Sequence, residues 1–137
     1  VLCSMMLMDV EDMTATIREM NRVLKPNGQV LISILHPCFK PPVEHHWFHE
    51  KDGIQVKIKN YFSPEVWEDR MGREGNSVLY RHRTLSEYVK AFVNTGFLIT
   101  DLNEPVPTEE ETKKSPRSEW LTRIPMYMFF TLRKTGI

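Results

Sequence analysis

The sequence is short of several things, and each shortage excludes something. Its 137 residues carry 18 Lys+Arg against 18 Asp+Glu, so no net charge draws the chain toward nucleic acid or an anionic membrane surface. It has two cysteines, Cys3 and Cys38, in or just after apolar stretches. That suits a reducing compartment better than a disulfide scaffold. No apolar run approaches the roughly 20 residues of a membrane-spanning helix, and no stretch reads as a secretory leader. A cytoplasmic protein is expected. None of the six glycines stands in a G-x-G arrangement. Gly72 and Gly75 form a G-x-x-G by spacing alone, and that stretch reads as a flexible loop. An initiating Met is also missing. The chain begins in apolar Val1-Leu2-Cys3, as expected of a piece of a longer protein.

What is present organises itself around Glu19 to Pro37. The length suits one domain. Val1 to Met8 reads as a strand running into a loop. Asp9 then offers a helix cap with Asp12 three residues on, two carboxylates at a positive helix end. Met13, Ile17, Met20 and Leu24 share one helical face. Pro26 stops the helix, Lys25-Pro26-Asn27-Gly28 turns the chain, and Val30 to Leu35 is apolar enough for a central strand covered on both faces. Two buried strands joined through a helix make a parallel, right-handed crossover, so the fold class is α/β.

Further along, Thr84-Leu85-Ser86-Glu87 is a capping box heading a helix with the apolar stripe Leu85, Tyr88, Val89, Phe92 and Val93. Asn94-Thr95-Gly96 ends it. Phe97 to Leu102 reads as a strand, residues 103–120 as a mobile polar loop able to gate a substrate, and Met126 to Arg133 as the last strand.

VLCSMMLMDVEDM followed by EMNRVLKPNGQVLISILHP resembles the second half of class I S-adenosylmethionine-dependent methyltransferases, with Asn27 in place of the first usual glycine. YRHRTLSEYVKAFVNTGFLITDLNEP (Tyr80 to Pro105) is similar to a stretch of small-molecule methyltransferases in that superfamily. The resemblance implies a Rossmann-like partial sheet in the family's order 4-5-7-6, its last strand antiparallel. It also implies S-adenosylmethionine as cofactor and methyl transfer to a small molecule in a full-length protein. The family's glycine-rich loop and the acidic residue that holds the ribose hydroxyls have no match here. Residues 1–137 therefore read as the C-terminal part of one domain whose N-terminal cofactor-binding half is absent, inactive alone. The alternative is a non-catalytic module derived from the same fold. A nicotinamide dehydrogenase shares the architecture but suits KPNG-strand-HP and HRTLSEY less well.

Residues 37–80 are the insertion. Lys51-Asp52-Gly53 reads as a hairpin turn between Glu44 to His49 and Ile54 to Phe62. In the family such insertions form a lid over the substrate, which would make Trp47, Tyr61 and Phe62 substrate-binding; alternatively these aromatics pack the hairpin onto the sheet. His45, His46 and His49 invite a metal, but their extended spacing is long for one ion and no cysteine pair accompanies them. No metal site is expected.

Methyl transfer is an in-line displacement accelerated largely by positioning, with proton removal for some acceptors. His36, at the carboxyl end of the central strand, lies where α/β sheets bind ligands and is a candidate base or orienter, or else a strand-end histidine bonded to backbone. His82 and Arg83 match the family's H-R pair. His82 is a second catalytic candidate, and Arg83 suits a substrate carboxylate or pairs with Glu87. By the resemblance, Ser4, Met5 and Met6 border the cofactor's methionine end; otherwise they pack strand and loop. The bare apolar edge at Val1 to Ser4 predicts a homo-oligomer.

Overall fold

Two strands and the helix between them set the architecture. The computed structural model describes residues 1–39, 47–50, 53–58, 60–71 and 76–135. β1 (Leu2–Ser4) and β2 (Gln29–Leu35) pair in parallel, Leu2 opposite Leu31 and Ser4 opposite Ser33, and α1 (Met13–Val23) is the crossover. Its buried face is Met13, Ile17 and Met20, as the periodicity requires. The cap is Asp12 and not Asp9: Asp12 Oδ1 accepts from Ala15 N at 2.8 Å, while Asp9 still belongs to the preceding turn, its N–H on Met6 O. After α1, Gly28 N closes on Lys25 O at 2.9 Å and Asn27 takes φ +61°, which Asn tolerates better than most residues. Gly28 is required for space. A Cβ there would stand 2.9 Å from both Leu24 Cδ2 and Lys25 O.

Among its described residues the insertion holds two strand pairs, where the sequence marked one. β3 (Trp47–Glu50) and β4 (Gly53–Val56) are antiparallel with Glu50 opposite Gly53; Lys51 and Asp52 of the expected turn lie outside the described residues. The second arm stops at Val56 and does not run on to Phe62. β5 (Val66–Met71) and β6 (Asn76–Arg81) form the second pair. Three consecutive charged residues, Glu68-Asp69-Arg70, break the alternation that would have marked β5. The Gly72–Gly75 stretch lies outside the described residues, as do His45 and His46.

α2 (Leu85–Asn94) starts at the expected capping box: Thr84 N donates to Glu87 Oε2 at 2.6 Å and Glu87 N to Thr84 Oγ1 at 3.3 Å. It ends before Gly96, at φ +83°. β7 (Phe97–Asn103) follows. The polar stretch after it is not a featureless loop. α3 (Glu109–Lys114) has its own capping box from Thr108 and Glu111, then comes a 3-10 helix, Pro116–Thr122. Lys114 bonds Glu110 at 2.7 Å, a helical pairing that the run of charges concealed. β8 (Tyr127–Lys134) then inserts antiparallel between β2 and β7, giving the order β1-β2-β8-β7. This is the expected 4-5-7-6 arrangement. Lys134 Nζ reaches the carbonyls of Asn21 and Leu24 at 2.7 and 3.0 Å, a cation on the negative end of α1.

The core lies on one side of the sheet. Cys3, Val30, Ile32, Ile34, Met128, Phe130 and Leu132 are buried with Ile17 of α1 and Phe92 of α2. β2 was expected to be covered on both faces, but its burial alternates. Leu2, Leu31, Leu98 and Phe129 point the other way, 75%, 50%, 46% and 41% exposed. Among the described residues both packed helices of the sheet lie on a single face, so the other has nothing to bury against. No helix among these residues is long and apolar enough to cross a membrane.

Candidate functional site

The carboxyl ends of β1 and β2 lie side by side, where an α/β sheet leaves backbone free to meet a ligand. At the end of β1, Ser33 Oγ donates to Ser4 Oγ at 3.1 Å, and Met5 N donates to Ser33 O at 2.9 Å and to Ser33 Oγ at 3.2 Å. These contacts hold Met5 at φ +51°, a backbone region costly for a side-chain-bearing residue. Ser4 is exposed, and Met5 and Met6 are half-buried.

At the end of β2, His36 is buried, its side chain 4% exposed. Nδ1 accepts from Cys38 N at 3.1 Å, so Nε2 carries the proton and donates to Glu104 Oε1 at 2.7 Å. Burial lowers its pKa, against the raising effect of Glu104. Both ring nitrogens are therefore occupied in a neutral imidazole. In this geometry the lone pair of His36 is engaged by the Cys38 backbone amide.

His82 comes from the junction between β6 and α2. Its ring Nε2 lies 2.7 Å from Tyr61 O; a carbonyl can only accept, so Nε2 donates, which in the neutral ring leaves the lone pair on Nδ1. The ring meets Tyr61 edge-on at 5.6 Å. Tyr61 Oη accepts from Leu85 N, the first amide of α2, at 2.8 Å. Burial, then the neighbouring Cys38 thiol and Glu87, push the Tyr61 hydroxyl up against the opposing bond from Leu85. Tyr61, Cys38 and His82 thus gather beside the carboxyl end of β2. Phe62 packs on Tyr61 at 5.1 Å and is 86% exposed. Trp47 lies in β3 opposite Val56.

Arg83 bears electrostatically on Glu87, but its hydrogen bonds go to backbone carbonyls. Nη1 donates to Leu7 O at 2.8 Å, and Nη2 to Val10 O at 2.6 Å and Glu11 O at 2.9 Å. It braces the loop after β1 from across the chain. Arg81 works in parallel, Nη1 on Asp9 O at 2.5 Å and its N–H on Met8 O at 2.7 Å. Asp9, expected only as a helix cap, instead lies here with its Oδ1 buried and without a hydrogen-bond partner among the described residues; burial raises its pKa while Arg81 opposes. Glu104 was not singled out in the sequence, its only trace being the terminal EP of the Tyr80–Pro105 stretch. Among the described residues no group of His, Cys, Asp and Glu is arranged to hold a metal.

The comparisons agree with this geometry. Residues 1–32 match a family model described as a methyltransferase domain. No curated protein matches the sequence. Among solved structures, an S-adenosylmethionine-dependent methyltransferase from Mesorhizobium loti is 24% identical with TM-score 0.83, over 97% of this chain and 60% of that one. A Listeria monocytogenes protein assigned to the same activity is 25% identical with TM-score 0.82, over 99% and 61%. A Burkholderia thailandensis 1,6-didemethyltoxoflavin-N1-methyltransferase, solved with its substrate and S-adenosylhomocysteine, is 16% identical with TM-score 0.52, over 98% and 43%. The chain spans about three fifths of the length of the two more similar structures. Its strand order, its crossover helix and these superpositions together give it the fold of the class I S-adenosylmethionine-dependent methyltransferases.

Proposed function

We propose that this chain forms the acceptor-side part of an S-adenosylmethionine-dependent methyltransferase acting on a small molecule, and that it needs the remainder of the fold to hold its cofactor. The carrying observation is the superposition at TM-score 0.83 over nearly the whole chain but 60% of the Mesorhizobium loti structure. In this reading Ser4, Met5 and Met6 border the cofactor's methionine end, and the strained Met5 backbone fixes that edge. Tyr61, Phe62 and His82 line the acceptor side, with the His82 Nδ1 lone pair available to take a proton and the two hairpins supplying a lid that carries Trp47. One neighbour of like fold is solved with S-adenosylhomocysteine and another with S-adenosylmethionine, which supports that cofactor here. Calorimetric titration with S-adenosylhomocysteine is the test. The chain alone is expected to bind at least 100-fold more weakly than a polypeptide extended ahead of Val1 by a strand and a glycine-rich loop. Equal binding by both would sink the partial-domain reading, and no binding by either would sink the methyltransferase reading.

A second reading, an interaction module that pairs with another copy, is favoured by one observation. The chain exposes 9336 Å², about 1,900 Å² more than the roughly 7,450 Å² usual for a folded monomer of 16.2 kDa. The edge at Val1 to Ser4 and the open face behind it contribute to that excess. Here the chain sediments as a dimer at micromolar concentration, and Leu2→Lys on the edge shifts it to monomer. A monomer at every concentration would exclude this reading.

A further inference from the structure

His36 ties together four pieces of the chain. Its N–H donates to Met126 O at 2.8 Å, just ahead of β8, and its carbonyl accepts from Phe39 N at 3.3 Å in the turn after β2. Its ring packs 4.7 Å from Phe39, and its two nitrogens join Cys38 to Glu104 at the end of β7. Cys38 in turn bears on the Tyr61 hydroxyl, which receives the first amide of α2. We propose that Glu104 is a positioning residue: by accepting the Nε2 proton of His36 it fixes the tautomer whose Nδ1 holds the Cys38 amide, and so sets the Cys38–Tyr61 wall of the site.

The arrangement is sensitive to acid for a geometric reason. Nδ1 can hold the Cys38 N–H only while it is unprotonated. An imidazolium carries a proton on both nitrogens, so Nδ1–H would face Cys38 N–H, donor against donor, while the bond from Nε2 to the Glu104 carboxylate survives and strengthens. Among the described residues the titratable groups facing the ring are Glu104, directly after β7, and Cys38 from the turn, with Tyr61 behind Cys38; the segment ahead of β8 offers the Met126 carbonyl. Because burial lowers the pKa of His36, the intact turn binds fewer protons than the released one. Stability of the turn therefore falls as pH drops from the ordinary histidine value through the lowered one.

Nitrogen-detected NMR of the imidazole, with amide exchange at Cys38 measured across pH, tests this on the chain itself. At neutral pH, His36 is the Nε2–H tautomer. Cys38 exchange, corrected for its intrinsic pH dependence, accelerates at least tenfold as His36 titrates. Glu104→Ala loses the single tautomer and accelerates Cys38 exchange about tenfold at neutral pH, with Ile32 exchange unchanged as the sign of an intact sheet. Glu104→Gln, which can still accept through Oε1, restores both. An Nδ1–H tautomer at neutral pH, or Cys38 exchange indifferent to Glu104→Ala, would overturn the proposal. The bearing on an acceptor rests on the function proposed above, but the tautomer and the exchange do not. Failure here leaves that function standing, and failure of cofactor binding leaves this pair standing.

Discussion

Phe92→Ala lowers the stability of the chain by about 3–5 kcal/mol. Phe92 is fully buried. Its ring meets Phe130 of β8 edge-on at 5.1 Å and lies 6.4 Å from Tyr88 one turn before it in α2. It is the side chain through which α2 grips the strand that joins β2 to β7. Truncation removes the aromatic contacts and leaves a cavity between helix and sheet that rigid neighbours cannot refill. Domains hold only about 5–15 kcal/mol in total, and one sheet face of this chain contributes little burial. The urea midpoint of the variant is expected to fall by half or more. Val93→Ala is the control. Val93 is 55% exposed on the same helix, so its truncation changes stability by about 0.5 kcal/mol or less. Equal effects at the two positions would mean that α2 does not pack on β8 as described.

The contrast between Phe92 and Val93 also shows what a sequence conveys. Both lie on the apolar stripe that periodicity assigns to α2, because the stripe tells which way a helix faces and not how far its covering extends. The same limit applies to β2. Six nearly uninterrupted apolar or small residues read as a strand buried twice over, yet Leu31 is half exposed because none of the described residues packs on that side. What sequence conveyed well was local: the Pro-Asn-Gly turn and the Thr84–Glu87 box each depend on neighbours along the chain, whereas the strand order, with β8 set between β2 and β7, was implied by the resemblance alone. The site was less legible because its bonds are remote in sequence. Arg83 contacts carbonyls 72 to 76 residues away and His36 meets Glu104 68 residues on, and no spacing rule reaches that far. Backbone carbonyls, moreover, leave no mark in sequence, so a search for an arginine's partner turns to acids such as Glu87.

Arg83→Met is expected to cost about 2–4 kcal/mol and to loosen the loop after β1. Three carbonyls, of Leu7, Val10 and Glu11, lose their charged donor at once. A bond to a charged group contributes about 1.5–3 kcal/mol, and the penalty is largest where water cannot replace the partner. The Leu7 and Val10 bonds are part-buried, whereas the Glu11 bond is exposed and its carbonyl rehydrates, so the total stays below three full bonds. Arg83→Lys separates charge from shape. An ammonium on a flexible stem can meet one of these carbonyls but cannot span all three as a planar fork does; it is expected to recover less than half of the loss. Thermal unfolding gives the energies, and amide exchange at Asp9 and Val10 locates them. If Arg83 serves mainly to bind a ligand carboxylate, Met at this position would leave both measurements unchanged. A brace would instead weaken the loop whether or not any ligand is present, and through it the Ser4-Met5-Met6 edge proposed to meet the cofactor.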